Sequence, residues 1–237
     1  MTCAIIVAAG SSRRMGFDKM FAPLAGRPVV WHSIKAFEDA REITEIVIVA
    51  KEDRIPEIET LVRDSRFKKI KSIVPGGEER HLSVWKGLQA VRAKECDFVA
   101  IHDGARPLIT PRLIRECIDA AHAHGAACCA SPIPDTVKRA DPAQLVQEAV
   151  DRSGLWAMQT PQIFASSLIL QAYAAIMARS EMVTDEVSAV QRLGKRIYLL
   201  RVEDWNFKIT FPHDLDLAAQ VLTLRAKKTS AAKLTTH

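Results

Sequence analysis

No stretch of the 237 residues approaches the roughly 20 consecutive apolar positions that a membrane-spanning helix needs, so no membrane partner is expected. The apolar run at 3–9 is too short for a secretory leader, and its arginines follow it instead of preceding it. Cys-x-x-Cys spacing is absent. The five cysteines, Cys3, Cys96, Cys117, Cys128 and Cys129, are odd in number and indicate neither a disulfide framework nor a zinc site. A reducing cytoplasm is the expected compartment. The excess of positive charge is also missing from most of the chain. Removing Arg225, Lys227, Lys228 and Lys233 from the 33 basic residues leaves 29 against 28 acidic ones. The body is therefore no basic platform, and no nucleic-acid partner is expected. Residues 226–237 read as a disordered basic tail, with RNA binding through that tail as the competing reading. No internal repeat or low-complexity linker interrupts residues 1–225, which are expected to form one domain.

What is present is an alternation of short β-rich runs with helical spacing. Strands are expected at 3–8, 45–50, 71–74, 98–101 and 126–131. The first is continuously apolar, as befits a central strand covered on both faces. Val30, Ile34 and Phe37 follow helical spacing, as do Val84, Leu88 and Val91. Thr110 and Pro111 open a further helix as cap and first residue, and Gly125 closes it. The pattern predicts an α/β fold: a Rossmann-like, mostly parallel twisted sheet with helices on both faces, binding ligands beyond the C-terminal strand ends. The alternation breaks after Ser131, where two extended stretches around Ala140-Asp141-Pro142-Ala143 predict a β-hairpin arm over about 133–151. Helical spacing resumes at 167–179 and 185–193, followed by a strand near 197–202 and a last helix after Pro212.

The loop after the first strand, from Ala8 to Lys19, is rich in small residues whose amides can approach an anion. It is not a P-loop, since five residues separate Gly10 from Gly16 and Phe17 follows. It is not a dinucleotide fingerprint either, since Ser12 stands where the second glycine belongs. What it adds is fixed cations, Arg14 and Lys19. Read plainly, it is a strand-to-helix turn with solvated basic residues. Read chemically, it suits attack by a phosphate monoester on the α-phosphorus of a nucleoside triphosphate. Such a nucleophile already carries about −1.5 to −2 charges and needs no general base. The obstacle is repulsion, about 4 kcal/mol for one unit-charge pair at ~4 Å and an effective dielectric of 20. Cations and a divalent metal offset it. Asp103, just past the strand at 98–101, is placed to hold Mg²⁺ between phosphates, unless it is simply a turn-forming Asp-Gly pair. Its neighbour His102 reads as structural. Gly76-Gly77-Glu78-Glu79-Arg80, followed by Ser83, is a second glycine-rich loop, able to read a base or merely to turn the chain.

With these residues assembled, the chain resembles the 2-C-methyl-D-erythritol 4-phosphate cytidylyltransferases of the non-mevalonate isoprenoid pathway. The matching pieces are AAGSSRRMG at 8–16, PGGEERHLSV at 75–84, HDGARP at 102–107, DTVKR at 135–139, VDRSGLWAMQTPQIF at 150–164, TDEVSA at 184–189 and NFKIT at 206–210. The resemblance implies CTP bound by Ala8, Ala9, Gly10, Gly77, Glu78, Arg80 and Ser83, with Arg14 and Lys19 stabilising the transition state. It implies Asp103 serving metal and substrate, with Thr136, Arg152, Thr160, Thr184, Lys208 and nearby Arg106 around methylerythritol phosphate. Arg152 and Lys208 would aim its phosphate. It also implies a homodimer in which the arm carries Thr136 and Arg152 into the partner's site. Asp18 stands where the family commonly has proline, next to Lys19, and Gly104 where it often has alanine. RMGFDKM also resembles the molybdenum-cofactor nucleotidyltransferases, so a polyol-phosphate or molybdopterin acceptor is the nearest alternative. A catalytically idle nucleotide-binding protein is a more distant one.

Overall fold

The computed structural model describes residues 1–10, 15–91 and 95–234, the last six by their backbone alone. In chain order the elements are β1 (Thr2–Val7), β2 (Pro23–Leu24), β3 (Arg27–Pro28), α1 (Val29–Asp39), β4 (Ile43–Ala50), α2 (Ile55–Ser65), β5 (Ile70–Pro75), α3 (Arg80–Ala90) and β6 (Phe98–Asp103). They continue with α4 (Pro111–His124), β7 (Ala126–Pro132), β8 (Val137–Ala140), β9 (Val146–Val150), β10 (Trp156–Ala165), α5 (Ser166–Ala178), α6 (Glu186–Gln191), β11 (Tyr198–Arg201) and α7 (His213–Leu234).

Seven strands form one sheet in the order β11-β7-β10-β6-β1-β4-β5. Six point the same way, and β10 alone runs against its neighbours β6 and β7. The expected mostly parallel α/β fold is the one observed. Alternation along β1 explains why it is apolar at every position: Ala4 and Ile6 enter one core, while Cys3, Ile5 and Val7 enter the other. The first core is closed by α1, α2 and α4, the second by α3, α5 and α6. A third cluster seats α7 against Leu24, Val29, Leu108 and Ile209. Helix α4 begins and ends as its sequence predicts. Thr110 Oγ1 accepts from Leu113 N at 3.2 Å, Pro111 is the first residue, and Gly125 caps it at φ 79°.

The hairpin appears as β8 and β9, which among the described strands pair only with each other, from Val137↔Val150 to Ala140↔Val146. Asp141 turns it, accepting from Leu145 N through Oδ1 at 2.9 Å. Two expectations do not match what is seen. Cys3 and Cys96 are joined as a disulfide with Cα atoms 6.1 Å apart, leaving Cys117, Cys128 and Cys129 buried and free. Their proximity follows from parallel pairing of β1 with β6, which sets Thr2 opposite Phe98 and is invisible in cysteine spacing. The chain after residue 225, read as a disordered tail, continues as helix α7 to Leu234. No described helix is long and apolar enough to cross a membrane.

Candidate active site

Parallel register places the chemistry. Val7 ends β1 level with Asp103 at the end of β6 and with Val49 in β4. The segments leaving these strand ends, together with the loop after β5, wall a cleft of about 400 Å³. Its lining includes Ala9, Gly10, Lys19, Gly77, Glu78, Arg80, Ser83, Asp103 and Lys208, which the sequence singled out. Lys51, Met20 and Glu79 line it as well.

Asp103 is the electrostatic centre. Arg80 Nε lies 3.0 Å from Oδ1, Lys208 Nζ 2.9 Å from Oδ2, and Arg106 Nε 3.7 Å from Oδ2. Burial alone pushes this carboxyl upward, but Arg80, Lys208 and Arg106 outweigh it and hold it well below the usual aspartate range. It is ionised at any working pH. Behind it, the Asp103 amide donates to Thr160 Oγ1 at 3.0 Å, and Thr160 Oγ1 is 2.9 Å from His102 Nδ1. His102 Nε2 lies 3.3 Å from the Arg106 carbonyl. Because the Arg106 carbonyl can only accept, Nε2 carries the imidazole proton, and the unprotonated Nδ1 accepts from the Thr160 hydroxyl. Burial keeps this imidazole neutral, with its pKa lowered to about 3. His102 is a strut, as its sequence context suggests.

Lys19 is buried and donates to Ile209 O at 2.9 Å, tying the first loop to the segment that carries Lys208. Asp18 has partners of its own. Its Oδ1 accepts from Met20 N at 3.1 Å and its Oδ2 lies 3.2 Å from Arg54 Nε. Gly104 packs tightly, since a Cβ there would stand 3.2 Å from Val7 O. Gly76 is tighter still: a Cβ would fall 2.3 Å from Ala9 Cβ, so two backbone segments of the cleft touch only because this side chain is missing. Ser83 ties its own loop, accepting from Gly77 N at 3.1 Å and donating to Glu79 O at 3.2 Å.

Not every residue named from sequence reaches the cleft. Ala8 is buried and its amide is spent on Val49 O at 2.7 Å. Arg106 supports from behind, donating to Asn206 O at 2.9 Å and Met158 O at 3.4 Å. Thr160 lies beneath Asp103. Thr136 and Arg152 are exposed at the base of the hairpin, with Arg152 Nη1 donating to Pro134 O. Thr184 lines a separate pocket with Met158, Ser188 and Lys195. Arg14 lies outside the described residues. Sequence reading missed Lys51 and Glu186. Lys51 directly follows β4, where the rule that ligands sit beyond strand ends would have found it. Glu186 sits in a short helix far along the chain, and nothing local marks it as a partner of Arg80, to which it is bound through both oxygens at 2.6 and 3.0 Å.

A glycine-lined cleft at parallel strand ends, with fixed cations around the ionised Asp103 carboxylate, is what a nucleotidyl-transferring enzyme requires. Residues 2–224 match the model of the 2-C-methyl-D-erythritol 4-phosphate cytidylyltransferase family. A protein of that name from Caldanaerobacter subterraneus is 41% identical over 218 residues, covering 91% of this chain and 96% of its own. One from Geobacillus kaustophilus is 39% identical over 224 residues, covering 94% and 97%. Among solved structures, the 4-diphosphocytidyl-2C-methyl-D-erythritol synthase of Anaerococcus prevotii superposes with a TM-score of 0.81 at 29% identity, covering 94% of this chain and 96% of that one. The cytidylyltransferase from Thermus thermophilus gives 0.77 at 28%, covering 93% and 98%. The chain belongs to the 2-C-methyl-D-erythritol 4-phosphate cytidylyltransferase family.

Proposed function

We propose that this enzyme condenses CTP with 2-C-methyl-D-erythritol 4-phosphate, giving 4-diphosphocytidyl-2-C-methyl-D-erythritol and pyrophosphate. An oxygen of the acceptor phosphate forms a bond to the α-phosphorus of CTP while the bond from that phosphorus to the bridging oxygen breaks, and pyrophosphate carries away the electron pair. The attacking oxygen is already anionic, so no residue need remove a proton. The observation that carries the reading is the cluster of Lys19, Arg80 and Lys208 in one cleft with ionised Asp103. These cations offset the repulsion between two polyanions and the charge that moves onto pyrophosphate.

Ala9, Gly10, Gly77, Glu78, Arg80 and Ser83 are assigned to CTP, Lys19 and Arg14 to the transition state. Asp103, Lys208, Arg106, Thr160 and Thr184 are assigned to the acceptor side. The donor set fits a divalent ion such as Mg²⁺ held mainly by the triphosphate. Asp103 offers an ionised carboxylate with acceptor capacity beyond its bonds to Arg80 and Lys208. Among the described residues no group of three or more His, Cys, Asp or Glu gathers that would hold a metal alone. When bound, the ion supplies Lewis acidity toward phosphate oxygens. The active form is a homodimer in which β8 and β9 bring Thr136 and Arg152 to the partner's cleft.

Pyrophosphate release from CTP, Mg²⁺ and methylerythritol phosphate tests the assignment. Release only with ribitol phosphate or a molybdopterin would overturn the acceptor and keep the chemistry.

A further inference from the structure

Arg80 lines the nucleotide cleft, yet most of its donors are committed to protein carboxylates. Its Nη1 and Nη2 grip Glu186 at 2.6 and 3.0 Å, and its Nε reaches Asp103 Oδ1 at 3.0 Å. Glu186 is fully buried in α6 and receives a third bond, from Tyr173 Oη at 3.1 Å. The Tyr173 ring stacks on Trp85 of α3, with centroids 6.3 Å apart and planes 7° from parallel. The guanidinium is thus clamped between two carboxylates, its fork geometry satisfied on one side by Glu186 and its Nε fixed on the other.

We propose that Glu186 is a positioning residue: by holding the Arg80 fork it fixes Asp103 Oδ1 and limits how closely Arg80 approaches the triphosphate. Burial opposes a charged guanidinium here, but the Glu186 and Asp103 charges outweigh it and hold Arg80 well above its ordinary range. The pair also joins the two halves of the site. Asp185 caps α6 by accepting from Ser188 N at 2.9 Å and accepts from Gln162 Nε2 at 3.1 Å, so Thr184 and Glu186 stand on either side of a fixed turn. One helix start therefore carries an acceptor-side threonine and the anchor of the nucleotide-side arginine. This coupling rests on the reaction proposed above, whereas the clamp itself does not.

The test is Glu186→Gln, which keeps size and loses charge. Released from its partner, Arg80 becomes a stronger attraction for CTP and a poorer holder of Asp103. Turnover should fall about tenfold or more while the CTP dissociation constant, measured by calorimetry, stays level or decreases. Unchanged turnover, or CTP binding weakened in step with turnover, overturns the proposal. Should Glu186→Gln lack a cooperative thermal transition, Tyr173→Phe carries the test, with turnover lower by about twofold to threefold and CTP binding not weakened. If the wild type binds CTP but releases no pyrophosphate with methylerythritol phosphate, the acceptor assignment fails. Calorimetry still decides the clamp, because weaker CTP binding by Glu186→Gln sinks it whatever the acceptor.

Discussion

Lys19 and Asp18 are neighbours in sequence with different hydrogen-bond partners. Asp18 binds Met20 N and faces Arg54, while Lys19 reaches Ile209 O across the cleft. If Lys19 meets charge that develops only during transfer, Lys19→Ala should lower kcat by about 100-fold or more with little change in KM for CTP. Steady-state kinetics in CTP reads this, and equal losses in both constants would instead mark a ground-state binder. His102 leads to a different experiment. Its burial lowers its pKa to about 3 from the ordinary 6.5. Between those values the unfolded chain takes up a proton that the folded chain refuses. Stability therefore falls as pH drops from 6.5, by up to about 1.4 kcal/mol per pH unit, on the order of one proton's linkage. Burial lowers His32 as well, with the same sign, so the readout is the difference between wild type and His102→Gln in urea unfolding at pH 7 and pH 5. The variant should lose less on acidification. Asp103, depressed instead by its cations, adds a loss only below the ordinary aspartate range. At this scale sequence reading found the groups that project from strand ends, Asp103 above all, since position after an apolar run marks them. It could not find Glu186, whose importance is a contact between residues 106 apart.

Helices and strands were legible where one physical signal dominated. Buried β1 announced itself by an unbroken apolar run, and α4 by cap, proline and terminal glycine. β10 did not. Trp156–Ala165 contains Pro161 and mixes polar with apolar residues, because one part pairs at the sheet's interior and another flanks the site. Its burial comes from neighbours, which no local window contains. α2 was also unread: Ile58 is its one buried residue, and Ile55, Leu61 and Val62 pack against the first core while only partly buried. Helix α3 packs on the sheet through Val84 and Leu88 and approaches it closely at Gly87. A Cβ on Gly87 would meet Ile5 Cγ2 at 2.6 Å and Val49 Cγ2 at 3.0 Å, both on fully buried side chains. Gly87→Ala should therefore destabilise the fold by about 1–3 kcal/mol, as overpacking does. Because α3 begins at Arg80, the same change should lower turnover in the fraction that remains folded. Denaturant melts paired with specific activity would measure both.

As a whole, the molecule leaves its hairpin without a sheet to join. Leu145 and Val146 at its tip are exposed, and Arg152 at its base is exposed and outside the lining of its own cleft. If the arm completes a second copy, two inactive variants should repair each other. Arg152→Ala spoils the arm, and Lys208→Ala spoils the body. Mixed in equal amounts with subunit exchange, half the dimers are heterodimers with one intact site, so about a quarter of wild-type activity should return. No recovery despite proven exchange would mean that each chain works with its own arm. A different consequence follows from the register that sets Asp103 level with Val7. The main-chain ladder, and no loop, fixes the depth of the Asp103 carboxylate, while the hairpin and the segment around Thr184 hang from the other half of the sheet. Natural drift or a protein engineer could thus rewrite which sugar phosphate is accepted without disturbing the apparatus that activates the triphosphate.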